Sequence, residues 1–190
     1  MSKVPPAHAV LEGAYRCFCR NGYRHTTISD IVDEAQLSRP TVYKYAGSKD
    51  EAFGKVVQAL LERASAAATR AASAADTPHE KVLAVLEVKL ELAIRLWQDS
   101  PAHAYELLST ASTQLPELVA GYVDGLSDLI ASALAEVVPD TARQATSVLL
   151  TFTRGLEDDL RDVDAARREL AMGVHMITTG ALSRAESLPA

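Results

Sequence analysis

Apolar residues recur every three to four positions along almost the whole chain, which is the period of an amphipathic α-helix. No segment of useful length shows the strict alternation of apolar and polar residues that is typical of a half-buried β-strand. The pattern therefore predicts an all-α fold of about nine helices. The expected helices cover residues 7–20, 28–35, 39–46, 49–74, 78–98, 101–113, 116–138, 140–159 and 164–184.

Capping residues mark the ends of the first helices. Thr27 and Ser38 are good N-caps, because their hydroxyl groups can accept a hydrogen bond from a backbone amide in the first turn. Asp30, three residues after Thr27, completes something close to a capping box. Asn21-Gly22 is expected to end the first helix, since both residues tolerate the left-handed conformation. The result is a pair of short helices, residues 28–35 and 39–46, separated by a three-residue break.

The short helix at residues 39–46 has two dissimilar faces. At about 100° per residue, Val42 and Ala46 fall on one side, where they are expected to anchor the helix to the first two helices. A short helix presented across a tight turn is the helix-turn-helix arrangement, whose second helix enters the major groove of DNA. An ordinary surface helix with a solvated basic face is the alternative. The side turned outward displays Arg39, Pro40, Thr41, Tyr43 and Lys44.

The displayed groups suit different contacts with a DNA duplex. Arg39 can bind guanine through two hydrogen bonds, and Pro40 or Thr41 can contact the methyl group of thymine. Cationic groups, a phenol and a helix N-terminus suit phosphates, which fix the register of the complex without reading the sequence. The candidate DNA-binding residues are Thr27, Ser38, Arg39, Pro40, Thr41, Tyr43, Lys44 and Lys49.

Charge is distributed unevenly along a chain that is acidic as a whole. The formal net charge is −6, which taken alone argues against a nucleic-acid partner. Residues 1–55 nevertheless hold eight basic and six acidic side chains, whereas the remainder holds 11 basic and 19 acidic ones. The N-terminal part is therefore mildly basic and supports the motif, although its charge is weak evidence by itself.

The stretch LEGAYRCFCRNGYRHTTISDIVDEAQLSRPTVYKYAGSKDEAF, residues 11–53, resembles the N-terminal region of the TetR family of bacterial transcriptional regulators. The resemblance rests on Phe18 with Gly22-Tyr23, on Thr-Val-Tyr-x-Tyr in the third helix, and on Ser-Lys-Asp-Glu-Ala-Phe at the start of the fourth. It covers roughly residues 7–64. Gln36 stands where the family usually has glycine, which predicts a strained or alternative turn. Ala46 stands where phenylalanine is common, which predicts less apolar volume behind the third helix.

The resemblance implies a two-part architecture. Residues 4–64, here called the head, would be a DNA-binding domain with its helix-turn-helix motif at about residues 27–46. Residues 65–190, the body, would be an all-α effector-binding and dimerisation domain. A homodimer would set two heads one DNA turn apart, about 34–36 Å, to bind a near-palindromic operator. A small apolar or amphipathic effector would release the operator, with repression as the commoner outcome in the family.

The last two predicted helices carry broad apolar stripes that could pair with their symmetry mates in a four-helix interface. An intramolecular core would explain the same stripes, and only the family resemblance favours dimerisation. The candidate interface residues are Phe152, Leu156, Leu170, Val174, Ile177 and Ala181.

The middle helices hold a few polar or aromatic residues among many aliphatic ones, as a small-molecule pocket requires. Residue by residue, a place in the core is the commoner explanation for a single tryptophan or tyrosine on a helix. The candidate pocket residues are Trp97, His103, Tyr105 and Tyr122.

Other classes of protein find no support in the sequence. Metal-binding pairs, a glycine-rich phosphate loop and a nucleophile elbow are absent, so we expect no enzyme, no metal and no cofactor. Cys17 and Cys19 would point in nearly opposite directions on a helix, which makes them small apolar residues of a reducing compartment. A signal peptide and a long apolar span are also missing, so we expect a cytoplasmic protein without a membrane partner.

Overall fold

The computed structural model of the chain describes residues 5–157 and 160–187, with side chains up to residue 180. Over these residues the chain forms nine α-helices and no strand, which confirms the predicted fold class. The helices are α1 (Pro6–His25), α2 (Ile28–Ala35), α3 (Arg39–Ala46), α4 (Lys49–Ala74), α5 (Pro78–Asp99), α6 (Ala104–Gln114), α7 (Pro116–Ala135), α8 (Ala142–Glu157) and α9 (Val163–Ser187).

The first helix is interrupted where the sequence predicted its end. Gly22 has φ 72° and ψ 169°, a conformation that is open in practice only to glycine, and one further helical turn continues to His25. Thr26, which is buried, donates from its hydroxyl group to the carbonyl oxygen of Gly22 at 2.7 Å. The kink therefore replaces the simple helix end that was expected.

Helix α6 begins three residues later than the sequence predicted. Pro101 was expected to open it, but residues 101–103 form a turn in which the amide of His103 donates to the carbonyl of Ser100 at 3.1 Å. The Ser100 side chain is buried and donates to the carbonyl oxygen of Cys19 on α1 at 2.8 Å. This bond fixes the turn against α1.

The described residues group into two compact units. Unit 1 contains the chain up to Glu62 together with Leu96–Ala120, and unit 2 contains Arg63–Arg95 together with the chain from Gly121. In unit 1, Leu107 of α6 is buried in the same cluster as Phe18 and Phe53, whose ring centroids lie 5.2 Å apart. The division into residues 4–64 and 65–190 stays a prediction, but α6 packs with the head.

Unit 2 has its own apolar core, built from helices α5, α7, α8 and α9. Its largest fully buried side chains are Leu86, Leu90, Ile94, Leu126, Ile130, Leu134, Leu149 and Leu170. An ion pair between Lys89 of α5 and Glu157 of α8, with 2.5 Å between Nζ and Oε1, lies at the edge of that core.

Both cysteines are free and buried in α1. Burial raises the pKa of the Cys17 thiol to about 11 and raises that of Cys19 as well. The thiols are therefore protonated and unreactive at neutral pH, as expected of small core residues.

Within the described residues, α7 is long and apolar enough to cross a membrane by length and composition, with a mean hydropathy of 1.4. Such a test is weak evidence for a single helix. Tyr122, Leu126 and Ile130 are buried in unit 2, whereas Asp124 and Asp128 are exposed. Two faces of this kind are typical of a helix packed on a core. The absence of a membrane partner stays a prediction.

Candidate nucleic-acid interface

Helices α2 and α3 form the predicted helix-turn-helix, packed on α1. Val42 and Ala46 on α3 are fully buried, as is Ile31 on α2, so each helix presents one face to the core. Gly13 of α1 allows α2 to approach closely, because a Cβ atom there would lie 3.2 Å from the Cβ of Ala35. The anchoring role predicted for Val42 and Ala46 is confirmed by this burial.

Side-chain caps define where both short helices begin. Thr27 and Asp30 form the reciprocal capping box, with the Asp30 amide donating to Thr27 Oγ1 at 3.2 Å and the Thr27 amide donating to Asp30 Oδ2 at 2.7 Å. Ser38 Oγ accepts from the amide of Thr41 at 3.4 Å. These bonds satisfy amides that the helices leave unpaired, and both predicted caps are confirmed.

The outward side of α3 is exposed as the sequence predicted. Arg39, Pro40, Tyr43 and Lys44 are exposed, and half of the Tyr43 side chain is accessible. Thr41 is half-buried, and its hydroxyl group lies 2.7 Å from Ser38 Oγ. The helix therefore offers one cationic and aromatic face, while its other face is buried.

The guanidinium group of Arg39 is held by a residue that the sequence did not single out. Arg39 Nη2 donates to Ser29 Oγ on α2 at 2.6 Å. Ser29 is exposed and lies two positions after the Thr27 cap, and its bond to Arg39 links the first turn of α2 to the start of α3. The bond orients Arg39 in the free protein and adds a second hydroxyl group to the same surface.

Two lysines near the start of α4 hydrogen-bond to helix ends within unit 1. Lys49 Nζ donates to the carbonyl oxygens of Tyr23 and Arg24, at 3.1 and 3.3 Å, and lies 4.6 Å from the centre of the Tyr23 ring. Lys55 Nζ donates at 2.8 Å to the carbonyl oxygen of Tyr45, at the end of α3. Lys49 therefore has a structural partner, and its contact with a phosphate stays a prediction.

A carboxylate on α2 binds two of the basic residues on α1. Glu34 accepts from Arg16 Nε at 2.7 Å and from Arg20 Nη1 at 2.9 Å. The hydrogen bonds from Arg16 and then Arg20 lower the pKa of the Glu34 carboxyl group, so the bridge is charged at neutral pH. Both arginines therefore link α1 to α2. The exposed cations of the helix-turn-helix itself, Arg39 and Lys44, lie on α3.

The turn between α2 and α3 has the unusual conformation that its sequence predicted. Gln36 adopts a left-handed conformation, with φ 53° and ψ 37°. Residues other than glycine adopt this conformation at a cost of about 1–2 kcal/mol. Replacing Gln36 by glycine is therefore expected to raise the free energy of unfolding by up to about 1 kcal/mol, since unfolded glycine also gains entropy.

Urea denaturation followed by circular dichroism would measure this gain. Gln58, exposed on α4, offers the control, because glycine there is expected to lower stability by about 1 kcal/mol. If glycine lowered the free energy of unfolding equally at Gln36 and Gln58, the left-handed turn assigned to Gln36 would be wrong.

The predicted pocket residues are divided between the two units. Trp97, His103 and Tyr105 belong to unit 1, and Tyr122 belongs to unit 2. Tyr105 is 77% exposed, so unit 1 does not enclose it, and His103 Nδ1 lies 3.6 Å from Glu106 Oε2. Within the described part of the chain, Trp97 Nε1 and the Tyr122 hydroxyl are buried without a hydrogen-bond partner. A cavity of about 430 Å³ in unit 1 is lined instead by Tyr15, Arg16, Cys19, Arg20, Asp99, Pro101 and Ala102.

Two of the predicted interface residues are core residues instead. Leu170 and Val174 are completely buried within unit 2, so a partner chain cannot reach them, and that assignment was wrong. Phe152, Leu156 and Ile177 are half-buried and keep part of their surface accessible. The Ala181 side chain lies outside the described residues.

The strongly exposed apolar side chains of α8 and α9 are not those predicted for the interface. Val148 is 49% exposed, Met172 64% and Met176 65%. The two methionines are four residues apart and share a helical face. That face lies beside the stripe of Leu170 and Val174, which the sequence had predicted as the interface. We call Val148, Met172 and Met176, together with the half-buried Phe152, the exposed apolar face.

Comparison with known proteins agrees with the geometry of the motif. A family model described as bacterial regulatory proteins, tetR family, matches residues 10–56. The helix-turn-helix region of the chain therefore matches the TetR family. The matched residues run from α1 through the helix-turn-helix into the first turns of α4, and so include every candidate DNA-binding residue.

Curated proteins described as HTH-type transcriptional regulators resemble part of the chain. The HTH-type transcriptional regulator YfiR of Bacillus subtilis is 38% identical over 53 residues, which are 28% of this chain and 26% of that protein. The HTH-type transcriptional regulator BetI of Brucella canis is 26% identical over 103 residues, which are 51% of this chain and 52% of BetI. The likeness to these relatives therefore spans about half of their length or less.

Solved structures resemble the whole fold. A TetR-family transcriptional regulator from Streptomyces coelicolor superimposes with a TM-score of 0.76 at 20% identity, covering 95% of this chain and 92% of that one. A TetR-like transcriptional regulator from Rhodococcus gives a TM-score of 0.71 at 22% identity, covering 96% and 98%. The family and these neighbours are transcriptional regulators, not enzymes, in agreement with the predicted class.

Proposed function

We propose that this chain is a cytoplasmic, sequence-specific DNA-binding regulator of the TetR family that acts as a homodimer. The observation that supports this best is the two-sided α3, in which Val42 and Ala46 are buried while Arg39, Tyr43 and Lys44 are exposed. Arg39 is the base-reading residue, with Pro40 or Thr41 against a thymine methyl group. Tyr43, Lys44, Lys49 and the helix N-termini capped by Thr27 and Ser38 bind phosphates.

The proposed dimer forms through α8 and α9. The exposed apolar face would be covered by the same face of a second chain, with Leu156 and Ile177 at its margin. Isologous contact of this kind is the commonest form of symmetric assembly. Two heads related by the two-fold axis would then read the two halves of a near-palindrome.

Selection of bound fragments from the source genome would identify the operator and test the DNA-binding proposal. With that duplex, Arg39→Ala is expected to weaken binding by about 1–3 kcal/mol and to relax the preference at one base pair of each half-site. Lys44→Ala is expected to weaken all duplexes alike, because a phosphate contact carries no sequence information.

Arg70→Ala is the matched control for this experiment, since Arg70 is an exposed cation of α4 outside the head. It is expected to leave DNA binding unchanged. A protein that prefers no duplex at low ionic strength would refute the proposed function. Loss of affinity in Arg39→Ala without any change of preference would refute only the base-reading role of Arg39.

We further propose that a small effector binds unit 2 near Tyr122 and releases the operator, so that the protein represses transcription. Tyr122 is 9% exposed, and burial followed by the negative charge of Glu157 raises the pKa of its hydroxyl group. The hydroxyl group is thus a protonated donor that needs an acceptor. An apolar or amphipathic ligand with one acceptor atom would suit it.

A melting curve against a panel of metabolites tests the effector proposal, because a ligand of the native state raises the midpoint. A compound that raises the midpoint of the wild type is expected to raise that of the Tyr122→Phe variant less. The same compound is expected to bind more weakly when operator is present, since coupling between the two sites is reciprocal. If no compound raises the midpoint, regulation without a small effector is the better explanation. If the compound bound with equal affinity in the presence and absence of operator, the proposal that it releases the operator would be refuted.

A further inference from the structure

Two imidazole rings meet in unit 2, between the start of α5 and the middle of α9. The ring centroids of His79 and His175 are 5.8 Å apart, and the ring planes stand at 87°. His79 is half-buried and His175 is exposed. Neither histidine takes part in the proposed contacts with DNA, effector or partner chain.

A buried hydroxyl group decides which nitrogen of His79 carries the proton. His79 Nδ1 lies 3.0 Å from Thr178 Oγ1. The single hydroxyl proton of Thr178 is donated within α9, to the carbonyl oxygen of Val174 at 2.8 Å, with a longer contact of 3.2 Å to that of His175. Thr178 must therefore accept from the Nδ1–H of His79, so a neutral His79 keeps its lone pair on Nε2.

This is how proteins orient histidines that bind metals: an outer partner holds one ring nitrogen and thereby aims the other. With zinc–nitrogen bonds of about 2.0–2.1 Å, two imidazoles on one tetrahedral ion have centroids about 5 Å apart. The observed 5.8 Å exceeds this by less than about 1 Å, which a small rotation of the exposed His175 side chain would cover.

The surroundings suit a partly open cation site. Asp76 and Glu80 lie at the start of α5 close to His79 in sequence, and their negative charges offset the positive end of the helix dipole. Among the described residues, no group of three or more histidine, cysteine or carboxylate side chains is placed to hold a metal ion. The site would thus have two protein ligands, and water would complete the coordination.

We propose that His79 and His175 bind a first-row divalent cation that prefers imidazole, zinc in particular, and that the ion ties α5 to α9. Imidazole nitrogen is a preferred ligand of zinc, copper and nickel. The proposal is independent of the DNA-binding function, because it rests on residues outside the head.

Zinc titration of the chelator-treated full chain, followed by calorimetry, tests the site. The wild type is expected to bind one zinc ion per chain at this site and to melt at a higher temperature with zinc, because the ion binds only the folded unit. His79→Ala and His175→Ala are each expected to weaken that binding at least about 10-fold. His25→Ala, which removes an exposed histidine from the end of α1, is expected to bind as the wild type does.

Thr178→Val tests the orienting hydroxyl separately from the ligands. It is expected to weaken zinc binding about 10–100-fold, as loss of an outer-shell partner does. Thr153→Val is the matched control, since Thr153 is also buried and likewise donates within its helix, to the carbonyl oxygen of Leu149 at 2.8 Å. Melting midpoints in the presence of chelator identify any variant that loses its fold.

Three results would overturn the proposal. The wild type could fail to bind zinc, which would leave the two rings as an edge-to-face aromatic contact. His79→Ala and His175→Ala could bind zinc as tightly as the wild type. All histidine variants, including His25→Ala, could weaken binding equally, as scattered surface binding would.

Discussion

Replacing Gly22 by alanine is expected to lower the free energy of unfolding by about 2–4 kcal/mol. The backbone at Gly22, with φ 72° and ψ 169°, lies in a region that other residues do not populate. A Cβ atom would also stand 2.3 Å from Glu106 Oε2 and 3.0 Å from His103 Nδ1. The Glu106 carboxylate would have to move, and it accepts a hydrogen bond from the amide of Arg24 at 2.9 Å.

Chemical denaturation followed by circular dichroism would measure the loss. Gly125→Ala is the matched control: Gly125 is exposed on α7, and a Cβ atom there meets nothing within 4 Å. That change is expected to stabilise the protein by about 0.5–1 kcal/mol, because alanine favours the helix. If the Gly22→Ala variant had the same free energy of unfolding as the wild type, the kink assigned to α1 would be wrong.

The double substitution Met172→Glu, Met176→Glu is expected to raise the dimer dissociation constant at least about 100-fold, which corresponds to about 2.7 kcal/mol. Burying a methionine side chain is worth about 1.5–3 kcal/mol, and a symmetric interface buries four of them. The glutamates would also bring like charges together across the two-fold axis. Because both methionines are exposed in the single chain, its own fold should not suffer.

Sedimentation at several protein concentrations would measure the dissociation constant. Val137→Glu is the control, since Val137 is an exposed apolar residue of unit 2 that lies outside α8 and α9. It is expected to leave the dimer intact. A wild type that stays monomeric, or a double variant that dimerises as tightly as the wild type, would contradict the proposed interface.

The helix-turn-helix could be predicted from sequence because its limits depend on local chemistry. Thr27 and Ser38 cap the two helices through residues only three positions away, so the limits of α2 and α3 were predicted correctly. The buried side of α3 followed from helical period alone, since two apolar residues on so short a helix leave one choice of face. The glycine that the family usually has at position 36 also predicted an unusual turn there, and Gln36 is indeed the one residue other than glycine with positive φ in the described part of the chain.

Contacts between distant residues could not be predicted in this way. The packing of α6 with the head depends on bonds such as that of Ser100 to Cys19, whose residues are polar or small and give no periodic signal. Apolar periodicity also cannot distinguish a core stripe from an interface stripe. Leu170 and Val174 therefore looked like interface residues although they are buried, while Met172 and Met176 beside them are exposed.

The internal bonding of Lys49 and Lys55 bears on the electrostatics of a DNA complex. Each ammonium group already neutralises the carbonyl end of a helix, and α4 thereby fastens both α1 and α3. Formal charge consequently overstates how many counterions such a complex would displace, because backbone carbonyl groups already offset part of the charge of those two cations. Affinity should fall with added salt more gently than the number of basic residues suggests, and acetylation of either lysine would loosen the head before any duplex arrives.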